Sequence, residues 1–199
     1  MISKFFCIIL IAMLIMTSAI CVASPLVSYS PGDFTIGLNL NAPTLSTNSW
    51  TTDGKLSVGY DVSAGIGLGF AGQYLYRNFK TNDNIEIKEQ QLNLIKSEID
   101  IFGGNIALFV GVSKTESIDS ISCNGIVAGI MGTIPIAPNT YAFTAVNTGT
   151  RIKGYEVGIG YLVAKNTDLN LGYRDKIYNG LTSEDITAKS SFGEIRYYF

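Results

Sequence analysis

Beyond its first two dozen residues, the chain alternates between apolar and polar positions. Phe34, Ile36, Leu38 and Leu40 are interleaved with Thr35, Gly37 and Asn39, and Leu56, Val58, Tyr60 and Val62 with Ser57, Gly59, Asp61 and Ser63. The same period recurs over 66–76, 106–112, 155–163, 169–177 and 195–199. A period of two puts apolar side chains on one face of a strand and polar ones on the other, whereas a surface helix needs a period near 3.6. Three segments are less regular, one of them 139–147, where Tyr141, Phe143 and Ala145 alternate only weakly. Residues 86–101 carry Leu92, Ile95 and Ile99 at helical spacing, yet read as a strand with Ile95, Ile99 and Ile101 on one face and Lys96, Glu98 and Asp100 on the other. Residues 125–136 are nearly all apolar, but Pro135 and the short run argue against a spanning helix.

Ten strands follow, at 33–41, 54–63, 66–78, 87–101, 105–114, 124–135, 139–147, 154–163, 168–178 and 188–199. Short connections at 64–65, 102–104, 137–138 and 164–167 take turns with longer polar ones at 42–53, 79–86, 115–123, 148–153 and 179–187. Strict alternation of short and long links is the mark of an antiparallel up-and-down sheet. No helical segment intervenes to cover a face of it.

Composition decides which face is wet. Of 199 residues, 47% are hydrophobic and only 15% charged, against roughly 25% charged in soluble domains. The polar face holds mostly Gly, Ser, Thr and Asn, small side chains suited to a crowded interior rather than to a solvated surface. Aromatic residues gather near strand ends, with Phe34, Tyr141, Tyr161, Tyr197 and Phe199 toward one rim and Tyr74, Tyr76, Tyr155 and Tyr178 toward the other. Such girdles belong at the two interfaces of a bilayer. The expected fold is all-β: a single antiparallel up-and-down transmembrane β-barrel of about ten strands, with eight as the alternative. A soluble periplasmic β-barrel binding protein has the same alternation with the opposite face inward.

The N-terminus reads as an address. Lys4 precedes the apolar run 5–16, and Cys21-Val22-Ala23 closes a small-residue site, the layout of a secretory signal peptide. Residues 1–23 are expected to be removed, leaving 24–199 as the barrel domain with Cys123 as its lone thiol. The chemistry that remains is sparse. The chain has no His, and its net charge is −2, which leaves no basic surface for nucleic acid. Ser113-Lys114 and Lys189-Ser190 are neighbours on a strand and so point to opposite faces. No metal spacing, nucleotide loop or catalytic constellation is present, so neither a cofactor nor enzymatic activity is expected.

The end of the chain carries the one specific motif. Ile195, Tyr197 and a terminal Phe199 alternate and finish the sequence, and in this the chain resembles the small bacterial outer-membrane β-barrels, similar in layout to the transmembrane domain of outer-membrane protein A and to the opacity-type barrels. Gly193 stands where an apolar side chain is common in that motif. The resemblance implies location in the outer membrane of a Gram-negative-type bacterium. It also implies two partners, the lipid bilayer and the barrel-assembly machinery that reads the C-terminal strand.

The expected lumen charges are Asp61, Arg77, Lys96, Glu98, Asp100, Glu156, Arg174, Lys176, Glu194 and Arg196, with Glu194 beside Arg174 and Asp61 beside Arg77 on adjacent strands. Such a set serves either as a selectivity constriction or as an ion-paired plug. The expected role is therefore a structural or narrow-pore barrel. The alternative is adhesion through outer loops, with Trp50 as a ligand contact. Deleting Phe199 is expected to lower insertion in cells while leaving refolding in detergent intact. Equal losses in both settings would refute an assembly role.

Overall fold

The computed structural model describes residues 27–101, 103–117 and 121–199. Residues 1–23, expected to be a signal peptide, lie outside them. Eleven strands are present: β1 Phe34–Ser46, β2 Thr51–Lys55, β3 Ser57–Gly67, β4 Phe70–Thr81, β5 Glu86–Ile101, β6 Gly104–Ser117, β7 Ser122–Ala137, β8 Thr140–Gly149, β9 Ile152–Ala164, β10 Thr167–Tyr178 and β11 Ile186–Tyr198. Each pairs antiparallel with its neighbours, and β11 returns to β1 in an unbroken register from Thr35↔Tyr198 to Ser46↔Thr187. The sheet therefore closes into a barrel with ten strands in its wall.

The eleventh element is a matter of one irregularity. β2 and β3 are a single wall strand interrupted at Leu56: Thr52 and Ser57 both face inward, so the parity slips between them. Opposite the slip stands Pro43 of β1, which has no N–H to give to a ladder. Ser57 patches the gap, its hydroxyl donating to the Lys55 carbonyl at 2.9 Å and accepting from the Lys80 N–H at 3.0 Å.

The strands run further than the sequence pattern suggested, taking in much of the polar connections. Among the described residues, what remains at one end are the loops 47–50, 82–85, 150–151 and 179–185; at the other, the two-residue turns 68–69, 138–139 and 165–166. The β3–β4 turn shows why such turns are possible. Leu68 and Gly69 have φ of 56° and 76°, the left-handed pair that matches strand twist in a two-residue hairpin. Around the wall, apolar side chains face outward without cover. Leu108 is 44% exposed and Leu171 71%, and Leu38, Leu94, Val110, Ile130, Ile159 and Ile195 join them in a continuous band. A surface of this kind suits hydrocarbon and not water.

Inside, large rings are accommodated by missing side chains. Register sets Tyr141 opposite Gly160, Phe143 opposite Gly158, Phe192 opposite Gly172 and Phe109 opposite Gly129. A Cβ at Gly160 would lie 2.2 Å from the Tyr141 ring, and one at Gly172 would lie 2.6 Å from Phe192. Each of these four rings thus lies over a glycine of the neighbouring strand. This corrects the girdle: Tyr141 and Tyr178 are interior residues, not rim anchors. Gly160→Ala is expected to destabilise the barrel by about 1–3 kcal/mol through overpacking. In a double-mutant cycle with Tyr141→Ala, measured by urea unfolding in vesicles, the two losses should be less than additive by more than about 0.5 kcal/mol.

Candidate functional site

The lumen is filled in layers from the loop end to the turn end. At the loop end, Leu45, Phe79, Ile87, Ile152, Tyr178 and Ile186 form an apolar plug with Leu181, which folds inward from the loop 179–185. Trp50 and Cys123 pack on this plug. Trp50 is half-buried there, and its backbone N–H donates to the Thr47 hydroxyl at 3.3 Å while its carbonyl accepts from the Thr47 N–H at 2.8 Å, which holds the loop 47–50 in shape. The Cys123 thiol donates to the Gly180 carbonyl at 3.1 Å. Above the plug, Ser49 donates to the Glu184 carboxylate at 2.6 Å, and this hydrogen bond holds Glu184 below the usual carboxylate range.

Below the plug lies a charged knot from four strands. Arg77 of β4 meets Glu156 of β9 at 2.7 Å and Glu89 of β5 at 3.4 Å. Lys176 of β10 reaches Glu156 at 3.1 Å and Glu89 at 3.9 Å, and Arg174 lies 3.6 Å from Glu156. Tyr178 donates to Glu89 at 2.5 Å. The Arg174 guanidinium also covers the Phe192 ring at 3.9 Å, a cation–π contact in a dry setting. Below Phe192 comes a second knot, in which Arg196 binds Asp61 at 2.9 Å and Glu194 at 2.9 Å. The upper knot has one cation in excess and the lower one anion in excess, so together they balance. Further down, Tyr141 and Tyr198 both donate to Asp168, at 2.7 and 2.8 Å.

The turn end is closed by the chain itself. Residues 27–33 pass under the mouth, where the Gly65 and Gly67 N–H groups donate to the Asp33 and Tyr29 carbonyls. A Cβ at Gly65 would fall 2.0 Å from the Ser30 carbonyl oxygen. Val27 is fully buried among Ala71, Ile95, Ala107, Phe109, Val127 and Met131. Between the two knots a void of about 70 Å³ remains, lined by Asp61, Arg77, Glu156, Lys176, Glu194 and Arg196 among others. That is room for a few waters and nothing larger.

Of the ten expected lumen charges, Asp61, Arg77, Glu156, Arg174, Lys176, Glu194 and Arg196 lie inside. Asp61 and Arg77, and Arg174 and Glu194, do lie on adjacent strands, but neither pair is joined by a salt bridge. Arg77 reaches across to Glu89 and Glu156 instead of bonding Asp61, and Arg174 meets Glu156 instead of Glu194. Lys96 and Glu98 are corrections. Lys96 is on the outer wall, donating to the Ser97 carbonyl at 2.8 Å and lying 5.2 Å from the Phe70 ring, and Glu98 is exposed. The reason is that Ile95 points inward into the turn-end cluster, and a bulge between Ser97 and Ile99 then switches faces. The Asp100 side chain lies outside the described ones. The same misreading hid Glu89, which is 0% exposed. Extending the alternation back from Leu92 and Leu94 would have placed Glu89, Gln91 and Asn93 inside together.

Glu156 is the shared anion of three cations, so its neutralisation should be costly. Glu156→Gln is expected to destabilise the barrel by about 3–5 kcal/mol, the range for breaking a buried pair, in urea unfolding from lipid vesicles. A loss under about 1 kcal/mol would show that water screens the knot.

No protein-family model matches the sequence, and no curated protein does. Solved structures do. Neisserial surface protein A superposes with a TM-score of 0.50 at 13% identity, over 84% of this chain and 99% of that one. The outer membrane protease OmpT from Escherichia coli superposes with a TM-score of 0.51 at 7% identity, over 87% of this chain and 99% of that one. At such identities the likeness is one of fold. An outward apolar band, a polar interior, a closed antiparallel wall and these two superpositions agree: this chain has the fold of a small outer-membrane β-barrel.

Proposed function

We propose that the protein is an integral outer-membrane barrel with a structural role, its lumen sealed rather than conducting. The observation that supports this best is the layered filling of the interior, which leaves a void of about 70 Å³ between two ion-paired knots. A hydrated ion crossing would have to displace Leu181 and Tyr178, break the Arg77–Glu156 contact, pass the ring of Phe192 and then displace Val27. Wide channels belong to barrels of many more strands; ten strands lie near the filled limit.

In this reading residues 1–23 direct export and are removed. Ile195, Tyr197 and Phe199 form the strand end read by the assembly machinery, and the loop end faces the cell exterior. The strand end is well placed for recognition. Tyr197 and Phe199 are exposed on the outer wall, where their rings lie 4.7 Å apart, and Phe34 of the closing strand lies 5.8 Å from Phe199. The role is not enzymatic: the chain has no His, and its buried carboxylates are held by cations or hydrogen-bond donors.

Single-channel recording of the refolded 24–199 protein tests the sealed lumen. A silent bilayer is expected for the native protein and for Glu194→Gln. Discrete openings, with ion preference altered in Glu194→Gln, would replace this reading with that of a narrow pore.

A further inference from the structure

Gly193 is unlike the glycines that face the lumen. Those lie under aromatic rings or against neighbouring backbone. A Cβ at Gly193 would meet only a Leu171 methyl at 3.6 Å, an ordinary contact, and its backbone is not in the left-handed region. The fold does not need a glycine there. What the glycine does is lower the outer wall. On β11 the outward positions run Ile195, Gly193, Ser191, Lys189, and register places Leu40 and Ala42 of β1 on one side and Leu171 and Tyr173 of β10 on the other. The result is a groove of about 1090 Å³ in the apolar band, with Leu38, Leu40, Leu169, Leu171, Tyr173 and Ile195 on its banks.

Beyond the groove toward the loop end, the same outward row carries a charge. Lys189 lies four residues beyond Gly193, about 13 Å along the strand, level with the top of the apolar band. Its side chain is 54% exposed, and its nearest anion, Asp175, is 3.8 Å away, a loose contact. Lys153 is exposed one step further toward the loops. The hydroxyl-bearing Ser191 and Thr44 flank Lys189 on the outward face. Apolar banks with an exposed ammonium beyond their upper end, on the same outward row, match the length and charge of an anionic amphiphile.

We propose that this groove is a binding site for a membrane lipid bearing a phosphate headgroup, with an acyl chain lying over Gly193 and the phosphate on Lys189. The chain fills the space that a larger residue at 193 would occupy. The ammonium supplies the headgroup preference, because a cation at the interface attracts anionic lipid. This site is independent of the lumen, and a conducting barrel would leave it unchanged.

The test is native mass spectrometry of the refolded 24–199 protein in a neutral detergent, titrated with phosphatidylglycerol or with phosphatidylcholine of the same chains. One saturable lipid per barrel is expected, with phosphatidylglycerol bound more tightly. Lys189→Gln should weaken phosphatidylglycerol about fivefold, toward the phosphatidylcholine value. Gly193→Leu should remove the saturable adduct of both lipids while heat-modifiable gel migration shows that the barrel is folded. Lys114→Gln, on the far wall, should change nothing. Should Gly193→Leu misfold, Ser191→Leu fills the same groove from above and should also remove the adduct. Equal affinity for the two lipids in the native protein would overturn the proposal, as would binding that survives a filled groove. So would a native dimer that Gly193→Leu converts to a monomer, because the groove would then hold a second copy of the chain.

Discussion

Everything in this molecule follows from the pairing of β1 with β11. In hydrocarbon an unpaired N–H or carbonyl has no water to turn to, so an open sheet edge is prohibitive and the strands must form a ring. The long register between 35–46 and 187–198 closes that ring. Once it is closed with ten strands in the wall, its inside is too narrow for bulk water and too wide to be left empty. The alternate residues of every strand have to fill it, whatever else they do.

That demand inverts the usual order of a protein. Leucines and valines stand outside, while Arg174 and Glu89 are fully buried. Burying charge is tolerable because each carboxylate of the upper knot is shared among several cations, and Arg77 and Lys176 each reach both carboxylates, while Arg174 rests on the Phe192 ring. The apolar side chains at the two mouths then keep water from the knots, which strengthens them. Packing and electrostatics divide the lumen between them by depth.

The wall was legible in the sequence because period two is enforced twice, once by lipid and once by the lumen. All ten wall strands could be placed from it, including the irregular β7. The failures have a common cause, the assumption that inward means polar. At the two mouths inward means apolar. Ile95 therefore pulled Lys96 and Glu98 to the wrong face and hid Glu89, and Tyr141 and Tyr178 passed for rim residues. The slips at Leu56 and between Ser97 and Ile99 have no sequence signature beyond a local break in alternation. Which cation meets which carboxylate depends on side chains crossing the lumen, and no periodicity encodes that.

The rings that rest on glycines link places far apart in the chain: 141 with 160, 143 with 158, 172 with 192, and 109 with 129. An aromatic gained on one strand is harmful until its opposite number has shed a side chain, and a side chain gained at the glycine is harmful until the aromatic has shrunk. Single steps through sequence space are therefore blocked at these positions, while paired exchanges stay open, even those that move the ring to the other strand. Over evolutionary time such a barrel should keep its total of rings and gaps while redistributing them around the wall. Two descendants could then share a shape and almost no identical interior residues.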